Sequence, residues 1–355
     1  MRRLLLLVLI ALAALPASAR RRAASASDPL VITSADAIAT AALAEGIPGL
    51  TIAVRKGTAV FIRSYGIAGV DSGTEARADT VYQIASVTKQ FTAAAIMRLE
   101  EDERLALDDR AGLYLPELDE RFDAITIRHL LTHGSGLRDY ESQLQNPFEE
   151  MTQQQIIALI TSSGPLFTPG SEYEYSNSGY YLLGIIIERT SGRPYEQFLR
   201  ETFFEPLGLT QTSYCGTRSP SPAGTILLAG AVIPIPAAHM SIVGAAGALC
   251  STAADLIRWN TALTNGIAVS SAAYDRMIGQ GNRMGLGLHY GFGLVVDTRG
   301  SVLSIWHNGS ILGFQSMLLW IPERELTIAV LTNLTDLDRD RAGEIARALA
   351  ASIEP

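Results

Sequence analysis

The chain has 355 residues, of which 48% are hydrophobic and 18% are charged, so it is long enough to bury a large core in one or two domains. Its formal net charge is −8, and its one basic run is Arg20-Arg21-Arg22. An acidic chain without a basic face is not suited to nucleic acid, and this composition excludes a nucleic-acid partner.

The first 19 residues predict a secretory signal peptide. Two arginines are followed by an apolar run over residues 4–15 and by the small-residue cleavage motif Ala17-Ser18-Ala19. Cleavage there predicts a secreted or periplasmic protein with a mobile lead-in over residues 20–33. The alternative is an uncleaved membrane anchor, although the apolar run is short for a transmembrane helix. No stable membrane span is expected once the signal has been removed.

Strands are predicted near both ends of the chain, and helices between them. After a helix over 34–44, two apolar runs, 50–54 and 58–62, flank Arg55-Lys56-Gly57, which predicts a hairpin with Lys56 at an exposed turn. A helix follows over 86–101, with an apolar stripe at helical spacing. Two later helices are predicted at 182–190 and 253–263. Four strands follow at 293–296, 302–306, 315–320 and 326–331, and the last predicted element is a helix at 336–353.

This order predicts a mixed α/β fold of the α+β type. Both ends of the chain would form one antiparallel sheet, flanked by the N-terminal and C-terminal helices, from residues 34–101 and 266–355. Residues 102–265 would form an inserted, mostly helical domain. A catalytic cleft would then lie between the sheet and the insertion.

Ser86 and Lys89 are the first candidate catalytic pair. Lysine occurs only at positions 56 and 89, and every other basic residue is arginine, which cannot lose its proton in a protein. A spacing of three on a helix places both side chains on one face, where the amine can take the hydroxyl proton. The alternative is a surface lysine in a helix that Ser86 caps.

Tyr175 and Asn177 form a second candidate motif, in an irregular segment that follows Pro169-Gly170. The tyrosine can shuttle a proton if a neighbouring cation such as Lys89 lowers its pKa. The asparagine amide can bind a substrate carbonyl and hold the lysine. The alternative is a helix cap beside a core tyrosine.

A third motif, His307-Asn308-Gly309-Ser310, ends an apolar run. His307 would present positive or hydrogen-bonding character to a substrate carboxylate or ester, and Gly309 would let a substrate backbone approach the strand closely. The backbone N–H groups of Ser310 and Ser86 would form an oxyanion hole. The alternative is an ordinary strand end with a turn glycine.

Other chemistries find less support. No serine stands in Gly-x-Ser-x-Gly, and no glycine-rich phosphate loop is present. His129 and His133 have the spacing of a zinc protease helix, but Leu130 stands where the catalytic glutamate would be, so no metal or cofactor is expected. Cys215 and Cys250 are either a disulfide or two buried thiols.

Taken together, the three motifs resemble the penicillin-recognising serine hydrolases, in the branch that holds class C β-lactamases, D-alanyl-D-alanine carboxypeptidases and related esterases. Further similar segments are residues 83–98, 125–137, 169–184 and 244–259. The resemblance covers residues 35 to 350 and implies a β-lactamase/transpeptidase-like fold.

The resemblance also implies roles for the site residues. Ser86 would be the acylated nucleophile, Lys89 its base and Tyr175 the proton shuttle, while Asn177 and the third motif, residues 307–310, would line the cleft. The substrate would be a β-lactam, a D-Ala-D-Ala peptide or an ester, and no cofactor is implied. His307 departs from the Lys-Thr-Gly of class C β-lactamases and predicts weaker β-lactam turnover. The alternative function is a non-catalytic penicillin-binding sensor or scaffold.

Overall fold

The structure is a computed structural model that describes residues 29–217 and 222–353, so the predicted signal peptide lies outside the described residues. The described helices, apart from short 3₁₀ and π turns, are α1 Pro29–Ala44, α2 Thr88–Glu101, α3 Ile127–Leu131, α4 Gln153–Thr161, α5 Asn177–Ser191, α6 Tyr195–Leu199, α7 Met240–Val243, α8 Ala253–Thr264, α9 Ser271–Gly279 and α10 Arg341–Ser352. None of these helices combines the length and apolar character needed to cross a bilayer.

The described strands form one large sheet and two small ones. They are β1 Gly49–Lys56, β2 Ala59–Gly69, β3 Thr74–Glu75, β4 Tyr82–Gln83, β5 Ser213–Tyr214, β6 Thr225–Leu228, β7 Ala231–Pro234, β8 Leu249–Ser251, β9 Asn282–Gly285, β10 Leu288–Tyr290, β11 Val295–Asp297, β12 Ser304–Ile311, β13 Phe314–Ile321, β14 Leu326–Thr332 and β15 Leu334–Asp336. The large sheet has the order β3-β2-β1-β14-β13-β12-β11-β10-β9, and the small sheets are β15-β6-β7 and β4-β8-β5.

All neighbouring strands of the large sheet are antiparallel, as predicted, and strands from both ends of the chain meet where β1 pairs with β14. The central strands β1, β13 and β14 are buried on both faces of the sheet. Leu50, Ile52 and Val54 of β1 point into a core shared with α1 and α10, whereas Ala53 joins the core of the helical region. This alternation follows from the two-residue period of a strand.

Three details differ from the sequence-based expectations. Helix α1 begins at Pro29, so part of the predicted lead-in is helical. Lys56 is not at an exposed turn: the turn is Gly57-Thr58, and Lys56 pairs with Ala59 at the end of β1 with 6% of its surface exposed. Helix α8, from the predicted insertion, packs against the sheet instead, where Asn260 donates to Thr327 of β14.

Candidate active site

Ser86 lies in a tight 3₁₀ turn, Ala85–Val87, directly before α2. The preceding residue, Ala85, has a positive φ of 46°, which a residue with a side chain adopts only at a cost of about 1–3 kcal/mol. The turn is held against the large sheet because the Ser316 hydroxyl of β13 donates to the Ile84 carbonyl at 2.7 Å. The nucleophile therefore sits on a strained turn that the large sheet supports.

Lys89 is fully buried and points at three oxygen atoms. Its Nζ donates to Ser86 Oγ at 3.0 Å, to Asn177 Oδ1 at 2.7 Å and to the Ala246 carbonyl at 2.8 Å. An ammonium has three protons, and these three oxygens accept all of them. The structure thus brings the predicted pair of Ser86 and Lys89 into hydrogen-bonding contact.

Burial lowers the pKa of Lys89 to about 7, while the negative charges of Glu141 and Asp139 act in the opposite direction. A buried ammonium lacks the hydration that stabilises it in water, so its proton leaves more readily. Near neutral pH a substantial fraction of Lys89 is a neutral amine. That form has a lone pair for the proton of Ser86.

Tyr175 also reaches the nucleophile, since its hydroxyl donates to Ser86 Oγ at 2.9 Å. The expected lowering of its pKa by Lys89 is wrong. Loss of contact with water raises the pKa of Tyr175 well above its usual value, and Lys89 Nζ lies over the ring, 4.8 Å from the centroid. Tyr175 is therefore a neutral phenol that can pass on a proton only as it receives another.

Asn177, the first residue of α5, is oriented by a residue that the sequence reasoning missed. Its Oδ1 accepts from Lys89, while its Nδ2 and backbone N–H donate to Asp139 Oδ2 at 3.2 and 3.0 Å. A carboxylate only accepts, so Nδ2 is the amide atom that faces Asp139 and Oδ1 the one that faces Lys89. Asp139 thereby positions the acceptor that holds Lys89.

His307 lies behind the site, and its ring centroid is 6.3 Å from that of Tyr175. It is 2% exposed, its Nδ1 bonds the Asn308 carbonyl at 2.5 Å, and its Nε2 bonds the Tyr290 hydroxyl at 2.8 Å. Burial and the nearby Lys89 lower the pKa of His307 to about 3. The imidazole is neutral, so of the two characters considered for it, positive or hydrogen-bonding, it does not present the positive one.

Gly309 packs tightly against the turn that carries Ser86. A Cβ there would lie 2.3 Å from the Ile84 carbonyl oxygen, 2.5 Å from Ser316 Oγ and 3.0 Å from the Ala85 Cβ. β12 therefore approaches the turn that carries Ser86 closely at Gly309.

A cavity of about 270 Å³ opens over the nucleophile. Ser86, Asn177 and Ser310 line it, and Ser310 is exposed, while Asn308 beside it is half-buried. Three of the predicted residues thus line one space, and the backbone N–H groups of Ser86 and Ser310 remain the candidates for an oxyanion hole.

Glu141 lines the cavity and is the second residue, after Asp139, that the sequence reasoning missed. It follows Asp139 by two positions, in a segment that the structure folds over the site through the 3₁₀ turn Tyr140–Gln143. The available signal was a pair of acids shortly after the Gly134-Ser135-Gly136 segment. Acidic residues are common in loops, so the sequence alone does not indicate a site here. The structure shows that this loop lies beside Ser86.

The two histidines with zinc-like spacing do not share a helix, because α3 ends at Leu131. His129 Nδ1 accepts from the Thr126 N–H and caps α3. His133 Nδ1 accepts from the Ser176 N–H, and its ring centroid lies 4.3 Å from that of Tyr175. His133 therefore packs against Tyr175 within the core.

Cys215 and Cys250 form a disulfide, which settles the alternative left open by the sequence. Cys250 belongs to β8, and Cys215 follows β5. Strand β8 also pairs with β4, which leads into the nucleophile turn. The bond therefore fastens the small sheet that precedes Ser86.

Comparisons with known proteins match nearly the whole described chain. The model of the Beta-lactamase family matches residues 35–352. The chain is 26% identical over 309 residues to Penicillin-binding protein 4* of Bacillus subtilis, covering 80% of this chain and 68% of that protein. It is 29% identical over 310 residues to Protein flp of Staphylococcus aureus, covering 81% of this chain but only 60% of that protein.

Two solved structures of amide hydrolases are also similar. A D-amino acid amidase from Ochrobactrum anthropi SV3, complexed with D-phenylalanine, has a TM-score of 0.81 and 25% identity, covering 91% of this chain and 98% of that one. A D-stereospecific amidohydrolase from Streptomyces sp. has a TM-score of 0.76 and 28% identity, covering 90% of this chain and 98% of that one.

Proposed function

Because the chain belongs to the Beta-lactamase family, we propose that it is a hydrolase that opens the amide bond of D-amino acid amides or short D-peptides through an acyl-enzyme on Ser86. The predicted family, fold and serine-hydrolase class are confirmed by the family match and the amidase structures. The observation that carries the proposal is the pair of contacts, at 3.0 and 2.9 Å, that Lys89 and Tyr175 make with Ser86 Oγ.

In acylation, neutral Lys89 accepts the proton of Ser86, and Oγ bonds to the substrate carbonyl carbon. The backbone N–H groups of Ser86 and Ser310 would stabilise the oxyanion. When the carbon–nitrogen bond breaks, Tyr175 gives its proton to the leaving nitrogen and regains one directly from Lys89. The net transfer is one proton from Ser86 to the leaving amine.

In deacylation, water attacks the ester carbonyl and the proton moves in the reverse direction. Tyr175 accepts a proton from water as it passes its own proton to Lys89, and Lys89 then protonates the departing Ser86 oxygen. Each step leaves Tyr175 neutral on completion, in agreement with its raised pKa. The acid is released, and Ser86 and Lys89 return to their starting protonation states.

The lining of the cavity favours a substrate with a free amino group. Glu141 is the one ionisable residue among the described residues that line the cavity, and no lysine, arginine or histidine is among them. Burial raises the pKa of Glu141 to about 7, so above that pH its carboxylate attracts an ammonium and repels another carboxylate. The apolar walls, which include Leu144, Ile242 and Val243, suit an apolar side chain such as that of the D-phenylalanine bound in the related amidase.

The same lining disfavours the carboxylate substrates considered from the sequence. A β-lactam or a D-Ala-D-Ala peptide carries a carboxylate. Glu141 in the cavity lining would repel that carboxylate, and His307, which is neutral and does not line the cavity, would not attract it. Esters have no such conflict and are expected as secondary substrates. A sensor or scaffold is less well supported, because all the groups for turnover contact one another.

The test compares hydrolysis of D-phenylalanine amide with that of N-acetyl-D-phenylalanine methyl ester, which has no ammonium. Ser86→Ala should abolish both activities. Glu141→Gln should raise KM for the amide about tenfold and leave KM for the ester unchanged, since one lost ionic contact is worth about 1.4 kcal/mol. The matched control is Glu172→Gln, an exposed acid outside the cavity lining.

Equal effects of Glu141→Gln on both substrates would contradict the role of Glu141 in ammonium binding. A wild-type protein that forms a stable penicillin adduct, but hydrolyses neither substrate, would establish the sensor function instead.

We also propose that the chain is exported and cleaved after Ala19, since residues 1–19 have the pattern of a signal peptide. N-terminal sequencing of protein recovered outside the cytoplasm should begin at Arg20. Recovery of Met1 on membrane-bound protein would show an anchor instead.

A further inference from the structure

A second cavity, of about 280 Å³, lies on the other side of the segment that holds Lys89. One face of α5 forms its floor, where Tyr181, Gly184, Ile185 and Glu188 follow one another at helical spacing. Gly184 is needed there because a Cβ would lie 2.5 Å from the Ala245 Cβ. The cavity is thus formed by close packing of α5 against residues 241–245.

The lining of this second cavity is acidic and aromatic. Glu188 and Glu196 contribute carboxylates, and none of the described residues that line it is basic. Glu188 accepts hydrogen bonds from the Tyr195 N–H and the Gln153 amide, and Glu196 accepts one from Thr217. Neither carboxylate is in an ion pair within the described part of the chain.

Three tyrosines, Tyr181, Tyr195 and Tyr214, complete the lining. Their hydroxyls are already bonded to Ser241, Thr92 and Met240, at 3.1, 2.7 and 2.7 Å. What they offer an occupant is therefore the ring. Aromatic rings together with carboxylates are the groups that attract an organic cation.

We propose that this second cavity is a binding site for a small organic ammonium ion that carries an apolar or aromatic group. The cation would form ion pairs with Glu188 and Glu196, and its apolar group would pack on the tyrosine rings. This site is separate from Ser86 and does not depend on the proposed amidase function.

The two cavities share a thin wall. Gly244 and Ala245 line the second cavity, whereas Val243 and Ala246 line the cavity over Ser86. The Ala245 carbonyl accepts from Thr92 at 2.7 Å, and the next carbonyl, that of Ala246, accepts from Lys89 at 2.8 Å. An occupant of the second cavity therefore touches the wall one residue from the acceptor of the catalytic lysine, and we expect it to change kcat.

The test is calorimetric titration with benzylammonium chloride, with benzyl alcohol as the uncharged analogue. The Glu141→Gln variant serves as the background, since it removes the acid of the active-site cavity. Saturable binding of benzylammonium is expected, with affinity at least fivefold lower after the further change Glu188→Gln with Glu196→Gln. Benzyl alcohol should bind at least tenfold more weakly, and kcat for N-acetyl-D-phenylalanine methyl ester should change on saturation.

Glu188 also bonds two protein groups, so the double change could disturb folding. Glu196→Gln alone, which affects one bond to an exposed threonine, should weaken binding at least twofold with the thermal midpoint unchanged. No saturable binding, equal affinity for benzyl alcohol, or affinity unaffected by either change would overturn the site. An unchanged kcat at saturation would overturn the coupling through the shared wall.

Discussion

In the proposed mechanism Lys89 takes the proton of Ser86, and its ability to do so depends on its burial. Arginine supplies nearly all other positive charges in the chain and cannot act as a base. The site leaves Lys89 near the point of deprotonation, because burial favours the neutral amine while Asp139 and Glu141 favour the ammonium. The balance of these effects, rather than the Ser-x-x-Lys spacing alone, makes Lys89 a base.

The pH dependence of kcat/KM should therefore rise from low pH through about 7, the pKa of Lys89. Below that value Lys89 is protonated and has no lone pair for the Ser86 proton, and above it the neutral amine is present. The measurement uses N-acetyl-D-phenylalanine methyl ester from about pH 5 to about pH 9, since that substrate does not titrate. A flat profile across this range would contradict Lys89 as the base.

Sequence motifs identified Ser86, Lys89, Tyr175 and Asn177, because each is part of a short pattern. They did not identify Asp139 or His133, whose roles arise from contacts with residues about 40 positions away. Protonation states were also beyond the sequence. The pKa values of Tyr175 and His307 depend on burial, which outweighs the charge effects that a motif suggests.

At the scale of elements, the nucleophile turn rests on strand β12. Gly309→Ala would place a Cβ 2.3 Å from the Ile84 carbonyl oxygen and push the turn that carries Ser86. A shift of about 1 Å at a reacting atom can cost about a hundredfold in rate, so kcat/KM should fall by about that factor. Gly300→Ala is the matched control, because the nearest atom to its Cβ is 3.6 Å away.

Kinetics and thermal unfolding of both variants test this contact. If Gly309→Ala kept wild-type kcat/KM, the turn would not depend on the strand beneath it.

The disulfide between Cys215 and Cys250 closes a segment with a sequence separation of 35. A loop of that size restricts the unfolded chain by roughly 3–4 kcal/mol in the chain-entropy treatment. Reduction should therefore lower the midpoint of denaturant unfolding. The variant with both Cys215→Ser and Cys250→Ser should show the lower midpoint with or without reductant. Identical midpoints for oxidised and reduced wild type would contradict a stabilising bond.

The long elements followed from periodicity, whereas the short ones did not. Strands β4, β5 and β8 have two or three residues each, too few for an alternating pattern. They form a small sheet only because residues distant in sequence meet and the disulfide joins them. Likewise, the packing of α8 on the sheet depends on its partner surface, which its own amphipathic pattern does not specify.

For the whole molecule, the predicted antiparallel sheet built from both chain ends is confirmed, and so is the β-lactamase/transpeptidase-like fold. This topology followed from the order of the elements, with strands near both ends of the chain and helices between them. The order of the elements also predicted a cleft beside the sheet, where the cavity lined by Ser86 and Ser310 lies. The chemical preference of the cleft did not, since it depends on Glu141 in a loop between helices.

The overall charge of −8 leads to a prediction about substrates. An acidic protein attracts a cationic substrate over long distances, and salt screens that attraction. Raising the salt concentration from about 0.01 M to about 1 M should lower kcat/KM for D-phenylalanine amide by up to tenfold. The uncharged N-acetyl methyl ester is the control and should change little. The same salt effect on both substrates would contradict electrostatic attraction of the ammonium.

The most direct test of the account traps the acyl-enzyme on Ser86. Wild type and Ser86→Ala are mixed with the para-nitrophenyl ester of D-phenylalanine, quenched in acid within the first turnovers and weighed intact by mass spectrometry. A D-phenylalanyl adduct is expected on wild type and none on Ser86→Ala. Rapid ester hydrolysis by wild type without an adduct, or an adduct that persists in Ser86→Ala, would contradict the mechanism.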